Sequence, residues 1–428
     1  MSILVLGSGG REHAIVASLV ASPLVERVFA APGNGGTAAI AENVTLTIDD
    51  PASVATFAAE NGCHLVVIGP EVPLVAGVAD AVRAAGIPAF GPGAVGARIE
   101  GSKVFAKELM ERHSIPTGRA RAFTEEQPAL EYLRETGAPV VVKADGLAAG
   151  KGVIIATTVD EAREAVSACF SGVFGSAGST VLIEEYLEGP ECSLLAFVDG
   201  ETVLPMAPAQ DHKRAFDGDT GPNTGGMGVY SPVPIVHASE YARMVEILSN
   251  TARALVSEGI DYCGVLYGGF ILTADGPKVL EYNARFGDPE TQVILPRLQT
   301  DLAQVLLATA TGTLDSVELS WCGDWAVSVV LASGGYPGEY ETGKPILGIE
   351  SAEELPGVTV YHAGTKRTAD GTLVTSGGRV LNVTALGADF ATARDRAYEA
   401  AGRISFEGMF YRTDIGARAL RGRSAWGA

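Results

Sequence analysis

The amino-acid sequence predicts an α/β protein: a doubly wound parallel sheet at the N-terminus, a central domain, and a C-terminal α+β domain. The length of 428 residues fits two to four domains. Over the first hundred residues, short apolar runs alternate with amphipathic helical patterns, which is typical of a parallel sheet wound with helices. From about residue 324 the sequence changes to alternating strands and turns, which indicates a separate C-terminal domain.

The predicted elements follow one another in a consistent order. Strands are predicted at ILVLG, RVFAAPG, LVVIGPE and PAFGP, with helices between them. Ser102 is a predicted helix N-cap, and VVVKADGLAAGKGV predicts two strands joined by a glycine loop. The later elements are a helix at 160–167, two strands in STVLIEEYLEGPECSLLAFVDGE, a helix at 239–258, a hairpin turning at 274–276, and a helix at 390–402.

The composition argues against several classes of function. The net charge of −20 disfavours a nucleic acid or an anionic membrane as partner. No apolar run approaches the ~18 residues of a membrane span, and the chain enters a predicted strand at once, so we expect no secretory signal. Five widely spaced cysteines fit reduced thiols better than disulfides or a zinc site. We therefore expect a cytoplasmic protein that acts on small molecules.

The first glycine turn, GSGGREH, does not match a dinucleotide site. Glu12 stands where the third glycine of that motif belongs, and Pro32 and Gly33 stand where its acidic residue belongs. A glycine turn at a helix N-terminus can still bind an anion, and Arg11 could add a bidentate contact to a phosphate. The alternative is a tight turn with Arg11 in solvent.

The segment VVVKADGLAAGKGV places one lysine on a buried strand and a second on a glycine loop. Its spacing is not that of a P-loop, because Gly146 and Gly150 are only four apart and Gly152 follows Lys151. Backbone N–H groups of such a loop can fold over phosphates, with Lys143 fixed on the strand. A structural hairpin with snorkelling lysines is less favoured, because a buried lysine is costly unless it is paired.

Two further segments combine carboxylates with other polar groups. In LIEEYLEGPECS, the backbone of 185–187 could pair with an adenine edge and Glu191 with ribose hydroxyls, although an exposed acidic turn explains the segment equally well. In VLEYNARFGDPETQ, Glu281, Asn283 and Arg285 alternate and would share one face of a strand. This arrangement favours a magnesium site beside an anion contact.

The segment QDHKRAFDGDTGPNTGGMGVYSP, residues 210–232, is long, polar and rich in glycine. We interpret it as a loop, and long loops within compact domains are usually functional or disordered. Lys213 and Arg214 offer positive charge, whereas Asp211, Asp217 and Asp219 could bind an ammonium group. A flexible surface loop is the alternative.

Together these segments resemble the ATP-grasp superfamily and, within it, the glycinamide ribonucleotide synthetase family. The resemblance extends from residue 1 to about 420, with Tyr186 standing where phenylalanine is familiar in the family. It implies a substrate-binding domain at 1–101, an ATP-grasp domain at 102–323 with a lid at about 120–190, and a C-terminal domain at 324–428. The matching motifs are GSGGREHA, PGNGG, GPEVPLVAG, EGSKVFAK, KADGLAAGKGV, DHKRAFDGDTGPNTGGMG, EYNARFGDPETQ and SGGYPGEYETGKPI.

The reaction implied by this resemblance joins glycine to 5-phosphoribosylamine through a glycyl phosphate, and it belongs to de novo purine (IMP) biosynthesis. ATP is converted to ADP and phosphate, Mg²⁺ or Mn²⁺ is the expected cofactor, and the chain is expected to act as a monomer. One alternative is another ATP-grasp ligase, such as a carboxylase or a peptide-forming ligase. A second is a non-catalytic nucleotide sensor, although the polar groups expected to bind metal and phosphate are all present.

The resemblance also implies roles for individual residues. Arg285 and Lys143 are expected to be catalytic, and Glu281 and Asn283 to hold the metal. The residues expected to bind ATP are Lys103, Lys143, Gly150, Lys151, Gly152, Glu184, Glu185, Tyr186, Leu187 and Glu191. Those expected to bind glycine and phosphoribosylamine are Gly9, Gly10, Arg11, Glu12, Glu71, Asp211, Lys213, Arg214, Asp219, Asn223, Thr224, Gly225, Gly226, Met227, Asp288 and Pro289.

Overall fold

The computed structural model describes residues 1–147, 152–172 and 175–421. Two of the predicted ATP-binding residues, Gly150 and Lys151, lie outside these residues. No helix in the described residues is long and apolar enough to cross a lipid bilayer. All five cysteines are free thiols, and four of them are buried.

The N-terminal part is a five-stranded parallel sheet with buried side chains on both faces. Its elements are β1 (Ser2–Gly7), α1 (Gly10–Val20), β2 (Arg27–Pro32), α2 (Thr37–Ile40), β3 (Glu42–Asn43), α3 (Pro51–Glu60), β4 (Leu65–Ile68), α4 (Glu71–Val75), α5 (Val78–Ala84), β5 (Ala89–Phe90), α6 (Ala94–Gly101) and α7 (Lys103–Arg112). The strand order is β3–β2–β1–β4–β5. Along β1, Ile3 and Val5 join one hydrophobic core whereas Leu4 and Leu6 join another, as a strand covered on both faces requires. The predicted doubly wound parallel sheet is confirmed.

A small antiparallel sheet follows and has a hydrophobic core of its own. Its elements are β6 (Ala120–Phe123), α8 (Glu126–Thr136), β7 (Val140–Ala144), β8 (Val153–Ala156), α9 (Val159–Phe170), a 3₁₀ turn (Gly175–Ser179) and β9 (Val181–Glu185). The strand order is β6–β9–β7–β8. Leu133, Val142 and Ile183 form part of this core, which is separate from the two cores shared by the rest of the chain.

The central sheet is antiparallel and holds the predicted metal ligands on its edge strand. Its elements are β10 (Glu191–Asp199), β11 (Thr202–Pro205), four short strands β12 (Gln210–Asp211), β13 (Arg214–Phe216), β14 (Thr220–Asn223) and β15 (Gly228–Ser231), α10 (Ala238–Ser257), β16 (Cys263–Thr273), β17 (Gly276–Asn283), α11 (Thr291–Ile294) and α12 (Leu302–Ala310). The order β11–β10–β16–β17 leaves β17 at one edge. The hairpin predicted at 274–276 joins β16 to β17 as expected.

The segment predicted as a loop at 210–228 contains strands. β13 and β14 pair with each other, whereas β12 and β15 join the C-terminal sheet through β18 (Trp325–Ala332). The C-terminal sheet has the order β12–β15–β18–β22–β19, so it uses strands from either side of residue 324. Its remaining elements are α13 (Ile349–Glu353), β19 (Val358–His362), β20 (Thr365–Arg367), β21 (Leu373–Thr375), β22 (Arg379–Gly387), α14 (Phe390–Ala401) and α15 (Ala417–Arg421).

Candidate active site

The N–H groups of the N-terminal glycine turn already donate to carboxylates of the protein. One carboxylate oxygen of Glu12 accepts the Gly9 N–H at 2.7 Å, and the other lies 2.5 Å from Nε of Arg11. The Arg11 N–H donates to the carboxylate of Asp288 at 3.2 Å, and its guanidinium donates to the Phe286 carbonyl at 3.0 Å. Arg11 is 7% exposed and Glu12 is 2% exposed. These two residues therefore support the turn, and the expected bidentate contact of Arg11 with a phosphate does not fit its surroundings.

Gly10 faces the interior of the protein. A Cβ atom at this position would lie 2.3 Å from Nδ2 of Asn382 and 2.6 Å from Nε2 of Gln292. Both are buried side chains. Glycine is thus needed here for close packing, and a substrate contact of the Gly10 backbone stays a prediction.

A pocket of about 440 Å³ opens beside this turn and is lined by three distant parts of the chain. Arg379 joins two of these parts, because its guanidinium donates to the Asp288 carbonyl at 2.9 Å, and it also donates to the Gly225 carbonyl at 2.8 Å. Lys366 supplies a second, exposed cation. The other lining residues are Ser8, Gly9, Pro32, Gly33, Asn34, Asp288, Tyr336, Ala363, Gly364, Thr365, Ser376 and Gly377.

Asp288 is the acidic residue of this pocket. Its carboxylate lies 3.3 Å from Arg379 and accepts a hydrogen bond from Nε2 of Gln292 at 3.0 Å. Burial raises the pKa of Asp288, but Arg379 and Arg11 outweigh it and hold the pKa below its ordinary value. The pocket therefore combines two cations with one ionised carboxylate.

A second group of charges lies around β7. Nζ of Lys143 donates to the Leu280 carbonyl at 3.1 Å and lies 3.0 Å from Oε2 of Glu184. The same oxygen lies 3.0 Å from Nζ of Lys107, a residue on α7 that the sequence analysis did not select. Oε1 of Glu184 is buried and has no hydrogen-bond partner in the described residues.

Lys103 begins α7, which Ser102 caps as predicted by accepting the Phe105 N–H at 3.1 Å. Nζ of Lys103 donates to the Gly146 carbonyl at 2.8 Å, in the loop that follows β7. Burial lowers the pKa of Lys103 below its ordinary value, despite the opposite effect of nearby Glu281. Lys103 is therefore placed beside the same loop as the predicted ATP-binding residue Gly152.

Four cations converge on Glu281 at the edge of the central sheet. The Glu281 carboxylate lies 3.6 Å from Nζ of Lys213, which also lies 3.3 Å from Glu191. Burial raises the pKa of Glu281, but Lys213, Lys143, Lys103 and Arg285 outweigh it and lower the pKa below its ordinary value. Glu281 is thus ionised, and three of the cations around it are themselves paired with further carboxylates.

The donor set at this edge suits a divalent cation. Asn283 lies two positions after Glu281 on β17, so the carboxylate and amide oxygens belong to the same face of the strand. Within the described ranges, no group of three or more His, Cys, Asp or Glu side chains could hold a metal by itself. Magnesium commonly takes one or two protein carboxylates and completes its shell with water and substrate phosphates. Glu281 and Asn283 fit this pattern.

Arg285 lies between two carboxylates. Its NH2 group lies 2.8 Å from Glu100, and its Nε lies 3.5 Å from Glu71, beyond an ordinary hydrogen bond. Burial raises the pKa of Glu71, but Arg285 and Arg11 outweigh it and lower the pKa below its ordinary value. Glu100 was not selected from the sequence.

The predicted adenine-binding segment follows β9. One carboxylate oxygen of Glu185 accepts the Arg119 N–H at 3.1 Å, which directs this side chain to the neighbouring strand. Tyr186 is exposed and Leu187 is half-buried. In the described part of the chain, the N–H groups of Tyr186 and Leu187 find no acceptor. The backbone here is available to a ligand.

The segment 210–232 divides between the site and the C-terminal sheet. Thr224 donates its N–H to the Lys213 carbonyl at 2.7 Å, which closes the turn that presents Lys213. Burial raises the pKa of Asp211 to about 7, against the effect of Lys213. At Gly226 (φ +113°), a Cβ would lie 2.5 Å from Cδ of the buried Pro289. Pro289 therefore packs against the turn.

Two predicted substrate contacts in this segment are not supported. The Met227 side chain is 0% exposed, and its N–H and carbonyl are bound to His212 and Val330. Asp219 lies 3.1 Å from Arg412 and also pairs with Arg418. Met227 belongs to the core, and Asp219 fastens its hairpin to the C-terminal segment.

A second cavity, of about 450 Å³, lies between β8 and the β13–β14 hairpin. Arg214 and Asn223 line it, together with Ile155 and Pro337. Arg214 and Asn223 are predicted substrate-binding residues. They line this second cavity and not the pocket beside the glycine turn.

Models of one protein family match three consecutive parts of the chain. The phosphoribosylglycinamide synthetase N domain matches residues 1–100, its ATP-grasp (A) domain matches 101–291, and its C domain matches 326–418.

Curated relatives match over nearly the full length. The chain is 52% identical over 425 residues to a phosphoribosylamine–glycine ligase of Vibrio parahaemolyticus, covering 98% of this chain and 99% of the relative. It is 50% identical over 426 residues to a phosphoribosylamine–glycine ligase of Brucella melitensis, covering 99% and 100%.

Solved structures agree with these relatives. The crystal structure of phosphoribosylamine–glycine ligase from Thermotoga maritima has a TM-score of 0.84 at 34% identity and covers 97% of this chain and 100% of that one. The biotin carboxylase domain of Hydrogenobacter thermophilus 2-oxoglutarate carboxylase, solved with MgADP, ADP and bicarbonate, has a TM-score of 0.73 at 16% identity and covers 96% and 91%. The second likeness shows the fold alone.

Proposed function

The chain belongs to the phosphoribosylglycinamide synthetase family, and we infer from this membership that it is an ATP-dependent phosphoribosylamine–glycine ligase of purine biosynthesis. It joins glycine to 5-phosphoribosylamine and releases ADP and phosphate. The observation that supports this chemistry in the structure is the placement of Lys213, 3.6 Å from the Glu281 carboxylate, and of Lys143, which donates to the carbonyl of the preceding residue Leu280.

The first step brings two anions together. A carboxylate oxygen of glycine attacks the γ-phosphorus of ATP, the bond from this phosphorus to the β–γ bridging oxygen breaks, and ADP leaves with that electron pair. Coulomb repulsion between the carboxylate and the triphosphate opposes the step. Lys143, fixed by Glu184 and the Leu280 carbonyl, and Arg285 offset that repulsion as charge develops.

The second step forms the amide. The amine of phosphoribosylamine attacks the carbonyl carbon of glycyl phosphate, the carbon–oxygen bond to phosphate breaks, and the nitrogen loses a proton. Glu281 and Asn283 would hold a Mg²⁺ or Mn²⁺ ion, which when bound screens the phosphate charges. The acyl phosphate must be kept from water. The small sheet of β6 to β9, with its glycine loop, supports the expectation of a lid at about 120–190.

We assign the nucleotide to the cleft between the small and central sheets. The unpaired backbone of Tyr186 and Leu187 would bind the adenine edge, and buried Oε1 of Glu184 would accept its amino group. Glu191, on the exposed start of β10, would bind ribose hydroxyls.

The 440 Å³ pocket beside the glycine turn is our candidate for the phosphoribosyl group. Lys366 and Arg379 carry two positive charges against one negative charge on Asp288, so the pocket attracts an anion. Gly9 and Ser376 line the same space. We also propose domain limits at residues 101 and 323 and a cytoplasmic monomer. The net charge of −20 supports the further proposal that the protein binds neither nucleic acid nor membranes.

The test is ADP release measured with each substrate omitted in turn. We expect release to require both glycine and phosphoribosylamine, and Glu281→Ala to reduce kcat by about 100-fold or more because a metal ligand is lost. The control is Glu42→Gln, which changes an exposed ion pair with Arg27 in the N-terminal sheet. ADP release with a different amine would favour another ATP-grasp ligase, and nucleotide binding without turnover would favour a sensor. Wild-type kcat in Glu281→Ala would contradict the metal assignment.

A further inference from the structure

Arg285 has two carboxylate neighbours that hold it very unequally. Glu100 lies 2.8 Å from its NH2 group, whereas Glu71 lies 3.5 Å from its Nε. The Glu100 side chain is 6% exposed and the Glu71 side chain is 29% exposed. The closer and more buried carboxylate, Glu100, is the one that fixes the guanidinium.

Glu100 also holds the backbone beside Arg285. Its Oε2 accepts the Ala284 N–H at 2.7 Å, while its Oε1 faces the Arg285 guanidinium. A single carboxylate therefore fixes the main chain of one residue and the side chain of the next. Both residues directly follow β17, which ends at Asn283.

The two elements joined in this way come from different parts of the fold. Glu100 lies in the last turn of α6, next to the parallel sheet, whereas β17 is the edge strand of the central sheet. A buried carboxylate is costly unless both of its oxygens are satisfied, and removal of one partner of such a pair leaves an uncompensated charge. Both oxygens of Glu100 have partners, so this carboxylate orients the Arg285 guanidinium as well as compensating its charge.

We propose that Glu100 is a positioning residue for the phosphoryl transfer: it aims the Arg285 guanidinium and fixes the end of the strand on which Glu281 and Asn283 lie. This inference rests on the catalytic role of Arg285 in the proposed function. Precise placement of such a group matters because a shift of about 1 Å in a catalytic side chain can cost about 100-fold in rate.

The test is a double-mutant cycle on the full-length enzyme with Glu100→Gln and Arg285→Lys. Glutamine has a single acceptor oxygen, so once it accepts the Ala284 N–H, its NH2 group faces the guanidinium as donor against donor. We expect Glu100→Gln to lower kcat by about 10- to 100-fold and to change KM for ATP by less than about threefold. The double variant should be within about threefold of Arg285→Lys alone, because both changes act through the same group.

The matched control is Glu258→Gln, which alters another carboxylate that holds an arginine, with two hydrogen bonds of 2.9 Å to Arg112 at an exposed position. It should leave kcat unchanged. If Glu100→Gln does not fold, Glu100→Asp keeps the charge but withdraws it by one methylene and enters the same cycle.

The outcomes separate the inference from the function on which it rests. Wild-type kcat in the Glu100 variants, full additivity with Arg285→Lys, or loss of folding in both Glu100 variants would overturn the positioning role. Wild-type kcat in Arg285→Lys would instead overturn the catalytic assignment of Arg285.

Discussion

At the scale of single residues, Glu184 holds two buried lysines with one carboxylate oxygen. Lys107 and Lys143 each lie 3.0 Å from Oε2 of Glu184, and Lys107 also donates to Oγ1 of Thr117 at 2.7 Å. Opposite charges at this depth compensate for the cost of removing each from water. The carboxylate that holds Lys143 in the site thus also holds Lys107, in the middle of helix α7.

Removal of Lys107 should destabilise the protein. Lys107→Met keeps the aliphatic chain but removes one of the two cations beside Glu184 and leaves the buried Gly118 carbonyl without its donor, so we expect a loss of about 2 kcal/mol in the free energy of unfolding. Urea denaturation followed by circular dichroism measures it. Arg112→Met, which breaks an exposed pair, should cost less than about 1 kcal/mol. Equal losses in the two variants would contradict this account of Glu184.

Buried histidines should make the protein less stable at mildly acidic pH. Burial lowers the pKa of His13 and His212 to about 3 and of His362 to about 4, whereas the unfolded chain titrates near 6.5. Between these values the unfolded state binds more protons, so stability falls as the pH falls. From pH 7 to pH 5 each histidine contributes about 2 kcal/mol to this loss.

His212→Gln isolates one of these contributions. Glutamine can still accept the Gly416 N–H that His212 accepts through Nε2 at 3.1 Å, but it does not titrate. The difference in urea unfolding free energy between pH 7 and pH 5 should therefore shrink by about 2 kcal/mol relative to the parent. Comparison with the parent also cancels the contribution of Asp211. The pKa of Asp211 is about 7, so its protonation makes the protein more stable as the pH falls from 7 to 5. An unchanged pH dependence would show that His212 is not the neutral buried group described.

Sequence patterns identified the charged residues on strands better than those on helices. Lys143, Glu281 and Arg285 stood out because polar side chains beside buried strands need partners. Lys107 and Glu100 did not, since a lysine or glutamate on a helix usually lies on a solvated face. Only tertiary packing shows that both are buried.

At the scale of elements, the β13–β14 hairpin depends on a segment almost two hundred residues later. Arg412 is 1% exposed and donates two hydrogen bonds of 2.8 Å to Asp414 and one of 3.1 Å to Asp219. Asp217 in turn accepts the Thr413 N–H at 2.8 Å. The hairpin that presents Arg214 and Asn223 to the second cavity is thus attached to the C-terminal segment.

Arg412→Met should release this hairpin. Its amides within 214–223 should exchange hydrogen at least about tenfold faster, since a loss of about 1.4 kcal/mol in local stability is tenfold in the opening equilibrium. Hydrogen exchange with mass spectrometry measures it, and β18 should serve as an unaffected internal reference. Arg403→Met, which breaks an exposed pair with Glu399 on α14, is the control. Unchanged exchange of the hairpin would mean that other contacts hold it.

The elements of regular length were predictable, whereas the short strands were not. The long helix α10 and the β16–β17 hairpin have clear periodicity and turn residues in the sequence. Strands β12 to β15 are only two to four residues long, and β15 pairs with β18, which lies about 100 residues later in the sequence. No local pattern of hydrophobicity can indicate such pairing.

At the scale of the whole molecule, the pocket beside the glycine turn is assembled from the N-terminal sheet, the segment after β17 and the C-terminal sheet. Sequence motifs predicted Gly9 and Asp288 as site residues in this pocket but gave no indication of Lys366 or Arg379. Lys366 lies on the short, largely exposed β20, where a charged residue is ordinary, and Arg379 is the first residue of β22, a mostly buried strand inside the C-terminal sheet. Their common position in one pocket becomes visible only when the sheets are brought together.

Lys366→Ala should weaken binding of phosphoribosylamine without affecting ATP. Loss of one charged contact to a phosphate is worth about 1.5 to 3 kcal/mol, so KM for phosphoribosylamine should rise about 10- to 100-fold while KM for ATP stays within about twofold. Steady-state kinetics of ADP release measures both constants. The control is Lys344→Ala, which removes a lysine paired with Glu341 and Glu407. A rise in KM for ATP alone would place the triphosphate, not the sugar phosphate, in this pocket.

The pairing of β15 with β18 has a consequence for synthesis on the ribosome. Translation proceeds at about 5–20 residues per second, and about 100 residues separate the ends of these two strands. Strand β15 is therefore outside the exit tunnel for roughly 5–20 s before β18 also emerges. During that interval its edge is open to wrong partners, so a nascent chain arrested near residue 324 should be a better client for a chaperone than the finished polypeptide.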